Sequence, residues 1–138
     1  MLFCAGAWLA RQHNYNQWIQ ADLITKHRIE SVTTQGRPGT DQDWVKSYSV
    51  RYSQDGITWT QISTPFDANK DNETKAINVL PDNIDARYIR LSPNSWNTQI
   101  AMRFDVTGCA LQGRTLAYTL NVNIMSLLLQ LGYTVQQI

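Results

Sequence analysis

Two short stretches gather the residue types that hold sugars. Ala10–Asn16, ARQHNYN, sets Arg11, His13 and Asn14 beside the ring of Tyr15. Gly36–Trp44, GRPGTDQDW, adds Arg37, Asp41, Asp43 and Trp44. A saccharide offers an apolar ring face that stacks on an aromatic side chain and a rim of hydroxyls that need donors and acceptors; these side chains supply both. Arg37 has an alternative role, pairing with a neighbouring aspartate to stiffen its own loop. Trp44 borders the second stretch, where it can serve either as a contact or as framework.

Catalysis has far less to work with. Nucleophilic chemistry needs a nucleophile, a base within hydrogen-bond reach and a group that orients the base. His13 and His27 are the only imidazoles, and neither GxSxG nor a phosphate-cradling glycine loop is present. No cysteine pair or HExxH points to a transition metal. Asp41, Asp43, Asp67, Asp71 and Glu73 are oxygen ligands by type, but they lack EF-hand spacing and read as solvated acidic loops. The sequence therefore predicts binding without catalysis, metal or cofactor.

The elements that must position these loops are strands. Ile100, Met102, Phe104 and Val106 alternate with Ala101, Arg103, Asp105 and Thr107, which puts the apolar set on one face of a sheet. Gln17–Leu23 alternates likewise, with Ile19, Ala21 and Leu23 on one side. Arg28–Gln35 predicts a further strand in which Ile29 and Val32 break the alternation, the mark of a bulge. Tyr48, Val50 and Tyr52 lead into Asp55-Gly56, a positive-φ turn, after which Ile57 and Trp59 are expected to resume the apolar face. Ile77–Leu80 and Arg87–Leu91 predict two more strands separated by Pro81-Asp82-Asn83. Arg103 is expected to pair with Asp22 or Asp105 on a sheet face. The spacing of these turn signals predicts an all-β sandwich or barrel.

Composition bounds the rest. The chain has 138 residues, one ordinary domain, with 12 basic against 11 acidic side chains. That balance gives nucleic acid nothing to hold. No apolar run is long enough to span a bilayer as a helix. The opening MLFCAGAWLA is apolar but lacks a basic leader region, so it reads as domain sequence from Gly6 rather than as a signal peptide. Cys4 and Cys109 either form a bridge, which would contribute ~4–5 kcal/mol in the chain-entropy model, or are two free thiols. Asn72-Glu73-Thr74 matches the N-glycosylation triplet, which matters only in a secreted chain. From Ala110 to Ile138 Arg114 is the only charged residue, and this apolar stretch reads as a divergent tail.

Taken in order, GAW at Gly6–Trp8, NQWIQADL at Asn16–Leu23, TTQGR at Thr33–Arg37, WVKSYSVRYSQDGITW at Trp44–Trp59, ARYIRLSPNSWN at Ala86–Asn97 and IAMRFDVTGC at Ile100–Cys109 carry a resemblance. From Gly6 to Cys109 the chain resembles the coagulation factor V/VIII C-type, or discoidin, domain. The resemblance implies a galactose-binding-like jelly-roll β-sandwich, extracellular and non-enzymatic, in which loops at one end bind phosphatidylserine membranes, glycans, collagen or protein ligands. It implies that Ala10–Asn16 and Gly36–Trp44 are two of those loops. It also assigns Trp8, Trp18, Trp59 and Trp96 to the framework.

Three departures bear on function. The family's opening cysteine, first strand and first ligand loop have no counterpart before GAW, so the chain resembles an N-terminally truncated domain whose sheet edge the apolar tail covers in part. Ile24 replaces a usual glycine, and Leu9 a frequent cysteine. Pro38, Gly39 and Thr40 stand where a membrane-inserting tip would carry bulky apolar side chains, which places lipid below glycan or protein as the partner. The expectation is a cell-adhesion or matrix-attachment module. The alternatives are a phosphatidylserine-binding module and a fragment without binding activity of its own.

Overall fold

The structure, a computed structural model, describes residues 6–111 of the chain. Cys4 and residues 112–138 lie outside them, and with them the Cys4–Cys109 bridge and most of the expected tail. Cys109 itself is exposed and carries a free thiol.

The described residues form seven strands and no helix: β1 (Trp8–Leu9), β2 (Ile19–Gln35), β3 (Trp44–Ser53), β4 (Thr60–Gln61), β5 (Phe66–Asp67), β6 (Ala76–Asn97) and β7 (Ala101–Ala110). All pairs are antiparallel, in the order β1-β7-β2-β6-β3-β4, with β5 hydrogen-bonded to β3. The sheet curls because β6 serves both halves. It pairs with β2 from Ala76 to Leu91 and with β3 from Tyr88 to Asn97. Inside the curl Asn78 Nδ2 donates to Tyr48 Oη at 3.1 Å and to the Asp67 carbonyl at 2.8 Å, which ties the two halves together. Burial pushes the Tyr48 hydroxyl pKa up to about 12. The result is the jelly-roll sandwich that the resemblance implies, built from the strands that the alternation predicts.

The inward faces match the apolar positions of the sequence. Ile29, Val32, Val50, Ile89, Leu91, Ile100 and Met102 are all buried. The bulge expected between Ile29 and Val32 is present: the register of β2 shifts at Glu30 against both β6 and β7, so one extra residue lets both aliphatics face inward. Gly108 sits where β7 crosses this bulge, and a Cβ there would run into the Arg28 carbonyl.

Three expectations change. The stretches expected at Gln17–Leu23 and Arg28–Gln35 are joined in one strand, β2 (Ile19–Gln35), whose register against β6 shifts between Asp22 and His27. Pro81 does not separate strands. It falls in a stretch of β6 that skips pairing between Val79 and Ile84, so a break in the ladder within one long strand absorbs the turn signal. Ile57 does not resume the apolar face either; it is 84% exposed. Asp55 Oδ1 accepts the N–H groups of Ile57 and Thr58, both at 2.8 Å, and this rolls the turn outward around Gly56 at φ 75°.

Candidate functional site

The two sugar-type stretches meet at one end of the sandwich, joined by the β6–β7 turn between Asn97 and Ala101. The strands explain why. β1 pairs with the start of β7, which delivers Ala10–Asn16 to that end, and Trp44 opens β3 directly opposite Asn97. The Ala10 N–H donates to the Ile100 carbonyl at 3.0 Å, and the Ile100 N–H donates back to His13 Nδ1 at 3.1 Å. His13, an exposed residue, is therefore a strut between the first loop and the turn. Asn97 Nδ2 donates to the Gln42 carbonyl at 2.6 Å and secures the second loop to the same turn.

Within the first loop Asn14 organises the backbone. Its Oδ1 accepts from the Asn16 N–H at 3.0 Å and from Gln17 Nε2 at 2.8 Å, and its Nδ2 donates to Gln12 Oε1 at 3.0 Å. That local turn lifts Tyr15, which is 77% exposed, and sets its ring 5.5 Å from the ring of Trp96 at a 57° tilt. An exposed aromatic backed by a second ring is held at little entropic cost and still shows a face to solvent. Arg11 lies exposed on the same loop.

The second loop is stiffened from inside. Arg37 Nη1 lies 3.0 Å from Asp41 Oδ2 and 3.2 Å from Asp43 Oδ2, and the Arg37 N–H donates to the Asp43 carbonyl at 2.9 Å. Asp43 is buried and Asp41 exposed. The pairing alternative for Arg37 thus describes its geometry. Trp44 is half-buried at the loop's root, with its indole N–H enclosed.

A third loop, missed as a partner, buttresses the second. Asn72 Nδ2 donates to the Gly39 carbonyl at 2.8 Å and to the Asp41 carbonyl at 3.4 Å. The expected glycosylation nitrogen is therefore already engaged beneath the loop. Asp71 caps the same segment, and hydrogen bonds from Thr74 and then Glu73 hold its carboxyl below the usual range. Arg103 closes the base: Nε donates to the Gly36 carbonyl at 2.8 Å and Nη2 to the Asn72 carbonyl at 3.1 Å. Its nearest carboxylate is Glu73 at 3.8 Å, not Asp22 or Asp105, and Asp22 instead makes a bidentate pair with Arg87 at 2.7 and 2.8 Å. Gly36 has to be glycine here, because a Cβ would lie 2.7 Å from Asn72 Cα and 2.8 Å from the Asp43 carbonyl.

Sequence reasoning reads a loop carrying Trp96 here but gives it no site role; in the structure Asn97, Thr98 at φ 54° and Gln99 stand beside Trp96. The signal was available in the run SWNTQ, a polar turn between two alternating stretches. Of the framework tryptophans, Trp8, Trp59 and Trp96 are half-buried, whereas Trp18 is 49% exposed.

A family model for the F5/8 type C domain matches residues 4–106. The chain belongs to that family. This F5/8 type C domain is 32% identical over 112 residues to bovine lactadherin, covering 75% of the chain and 26% of lactadherin. It is equally identical, over 112 residues and 75% of the chain, to mouse coagulation factor V, but covers only 5% of that protein. Among solved structures, discoidin II of Dictyostelium discoideum superposes with a TM-score of 0.72 at 27% identity, over 80% of this chain and 44% of that one. The chain therefore spans a minor part of each of these relatives, and what it shares with them is a binding module.

Proposed function

We propose that this F5/8 type C domain is an extracellular, non-enzymatic recognition module for cell adhesion or matrix attachment. It contacts glycan or protein through the end formed by Ala10–Asn16, Gly36–Trp44 and the Asn97–Ala101 turn. The observation that carries the reading is the Tyr15 ring, open to solvent and backed by Trp96 at 5.5 Å where the loops converge. On the same two loops Arg11, His13 and Asp41 are exposed and can supply polar groups for hydroxyls or a peptide. The second loop's Pro38-Gly39-Thr40 tip offers little apolar surface, so the free energy of inserting it into a lipid layer is small.

The test is a solid-phase screen of the chain against glycans, collagen and phosphatidylserine vesicles, with a melting curve alongside. Saturable binding to a glycan or protein is expected, weakened about tenfold by Tyr15→Ala, while the melt stays within about 0.5 kcal/mol because the ring is exposed. Vesicle binding that sugars do not compete would make the chain a lipid module. No cooperative melt and indiscriminate sticking would leave the fragment reading.

A further inference from the structure

On the outer face of the sheet four polar side chains stand in one row across four strands: Gln20, Arg90, Arg51 and Gln61. Their alignment follows from the register, which sets Gln20 opposite Arg90, Arg90 opposite Arg51, and Arg51 opposite Gln61. Two arginines directly opposite each other on paired antiparallel strands repel. Arg28, Arg37, Arg87 and Arg103 each have a carboxylate within 3.8 Å, but among the described residues neither Arg51 nor Arg90 has one. Asp22, the acid nearest in sequence to Gln20, is engaged by Arg87.

The hydrogen-bond partners of this pair are neutral. Arg90 Nε and Nη2 donate to Gln20 Oε1 at 3.2 and 2.9 Å, and Arg51 Nε donates to Gln61 Oε1 at 2.9 Å. The Arg90 guanidinium is also sandwiched between the Trp18 and Trp59 rings, 4.0 and 3.9 Å from their centroids. Rings and amides fix the orientation of Arg90 without neutralising it. Nη1 of Arg90 and both terminal nitrogens of Arg51 have no acceptor among the described residues. Desolvation in the stack and the charge of Arg51 push the Arg90 pKa down, as expected for a cation kept without a counter-charge.

We propose that this row is an anion-binding site for an acidic oligosaccharide, whose sulfate or carboxylate is clamped by Arg51 and Arg90 and whose ring rests on the open side of Trp18. Planar guanidinium groups with free paired N–H donors match the oxygens of such groups. The amides of Gln20 and Gln61 flank the clamp with further hydrogen-bonding capacity, and Trp18 is half exposed at its edge. A lipid phosphate shares the anion chemistry. The row, however, lies on the flat of a sheet with no apolar tip in it, which favours an extended sugar chain over a membrane. The site is independent of the loop-end reading.

The test is a tryptophan-fluorescence titration of the chain with a sulfated oligosaccharide, its unsulfated counterpart, and vesicles with and without phosphatidylserine. The parent is expected to give a saturable change with the sulfated sugar alone, weakening as salt rises. Arg51→Gln is expected to bind about tenfold more weakly, with a melting temperature equal to or above the parent's because a like-charge contact is removed. Tyr15→Ala, at the loop end, should leave this binding intact. The proposal is overturned if Arg51→Gln binds as the parent does, if the unsulfated sugar binds equally, if Tyr15→Ala abolishes the titration, or if only the phosphatidylserine vesicles respond.

Discussion

Arg37 at the loop end and Arg90 on the sheet face look alike in sequence, each a cation beside a tryptophan-bearing segment, yet the fold uses them in opposite ways. Arg37 is shared between two carboxylates and a backbone carbonyl network, and its charge is answered within its own loop. Arg90 lies between two indole rings with only amide oxygen as acceptor, and Arg51 repels it from the next strand. A paired arginine stiffens; an unpaired one fixed in place is available. The contrast moves the weight of the proposed recognition at the loop end away from Arg37 and toward Tyr15, and it sets the sheet face apart as the second proposed surface.

The sharpest way to break this comparison is Arg90→Ala. The substitution removes a guanidinium stacked on two rings, together with the methylene stem that covers the sheet between them. A loss of about 2 kcal/mol in denaturant unfolding is expected, with a blue-to-red shift in tryptophan emission as Trp18 and Trp59 gain water. Arg90→Lys should recover only part of it, because an ammonium cannot lie flat between two rings while donating twice to Gln20. Equal stability of Arg90→Ala and the parent would mean the stack is incidental.

The loop end should respond to which acid is removed. Asp43 is buried under Arg37, so Asp43→Ala leaves a partly enclosed guanidinium short of its inner partner and is expected to cost about 2 kcal/mol. Asp41 is exposed, and Asp41→Ala should cost less than about 0.5 kcal/mol. Chemical unfolding of the two variants side by side gives the ratio. If the two losses are equal, Arg37 is not anchored from beneath, and its role as a ligand contact returns.

How far the sequence reaches is clear from the same residues. Alternation exposed the strands, the bulge at Glu30 and the inward set, because burial on one face of a sheet imposes period two directly on the chain. It could not show which cations are answered. The partners of Arg37 lie four and six residues away and were legible, whereas Arg90's surroundings come from Gln20, Arg51, Trp18 and Trp59 on three other segments, brought together only by register. For the same reason Arg103 is expected from sequence to pair with Asp22 or Asp105, whereas Arg87 is the partner of Asp22 and Glu73 the acid nearest Arg103. The contacts of Asn72 with Gly39 and Asp41 were hidden for the same reason, since they span more than thirty residues of chain.

The smallest expected effect concerns Arg87, the arginine beside Arg90 that does have its acid. Hydrogen bonding from Arg87, reinforced by the Ile24 N–H, holds the Asp22 carboxyl below its ordinary value of 3.8. A carboxyl whose folded pKa is depressed adds stability that is fully present above its unfolded pKa and is lost as pH falls through the folded one. Asp22→Asn lacks that contribution at every pH. Its melting temperature should therefore lie slightly below the parent's at neutral pH, and the gap should close on acidification below 3.8. The pair is exposed, so the gap is small and shrinks further in salt. A melting series across that acid range, run on Asp22→Asn and Arg51→Gln together, places answered and unanswered arginines on one scale: the first gap should vanish as Asp22 takes up its proton, while Arg51→Gln, which removes a repulsion between two cations that stay charged throughout, should keep its offset at every pH.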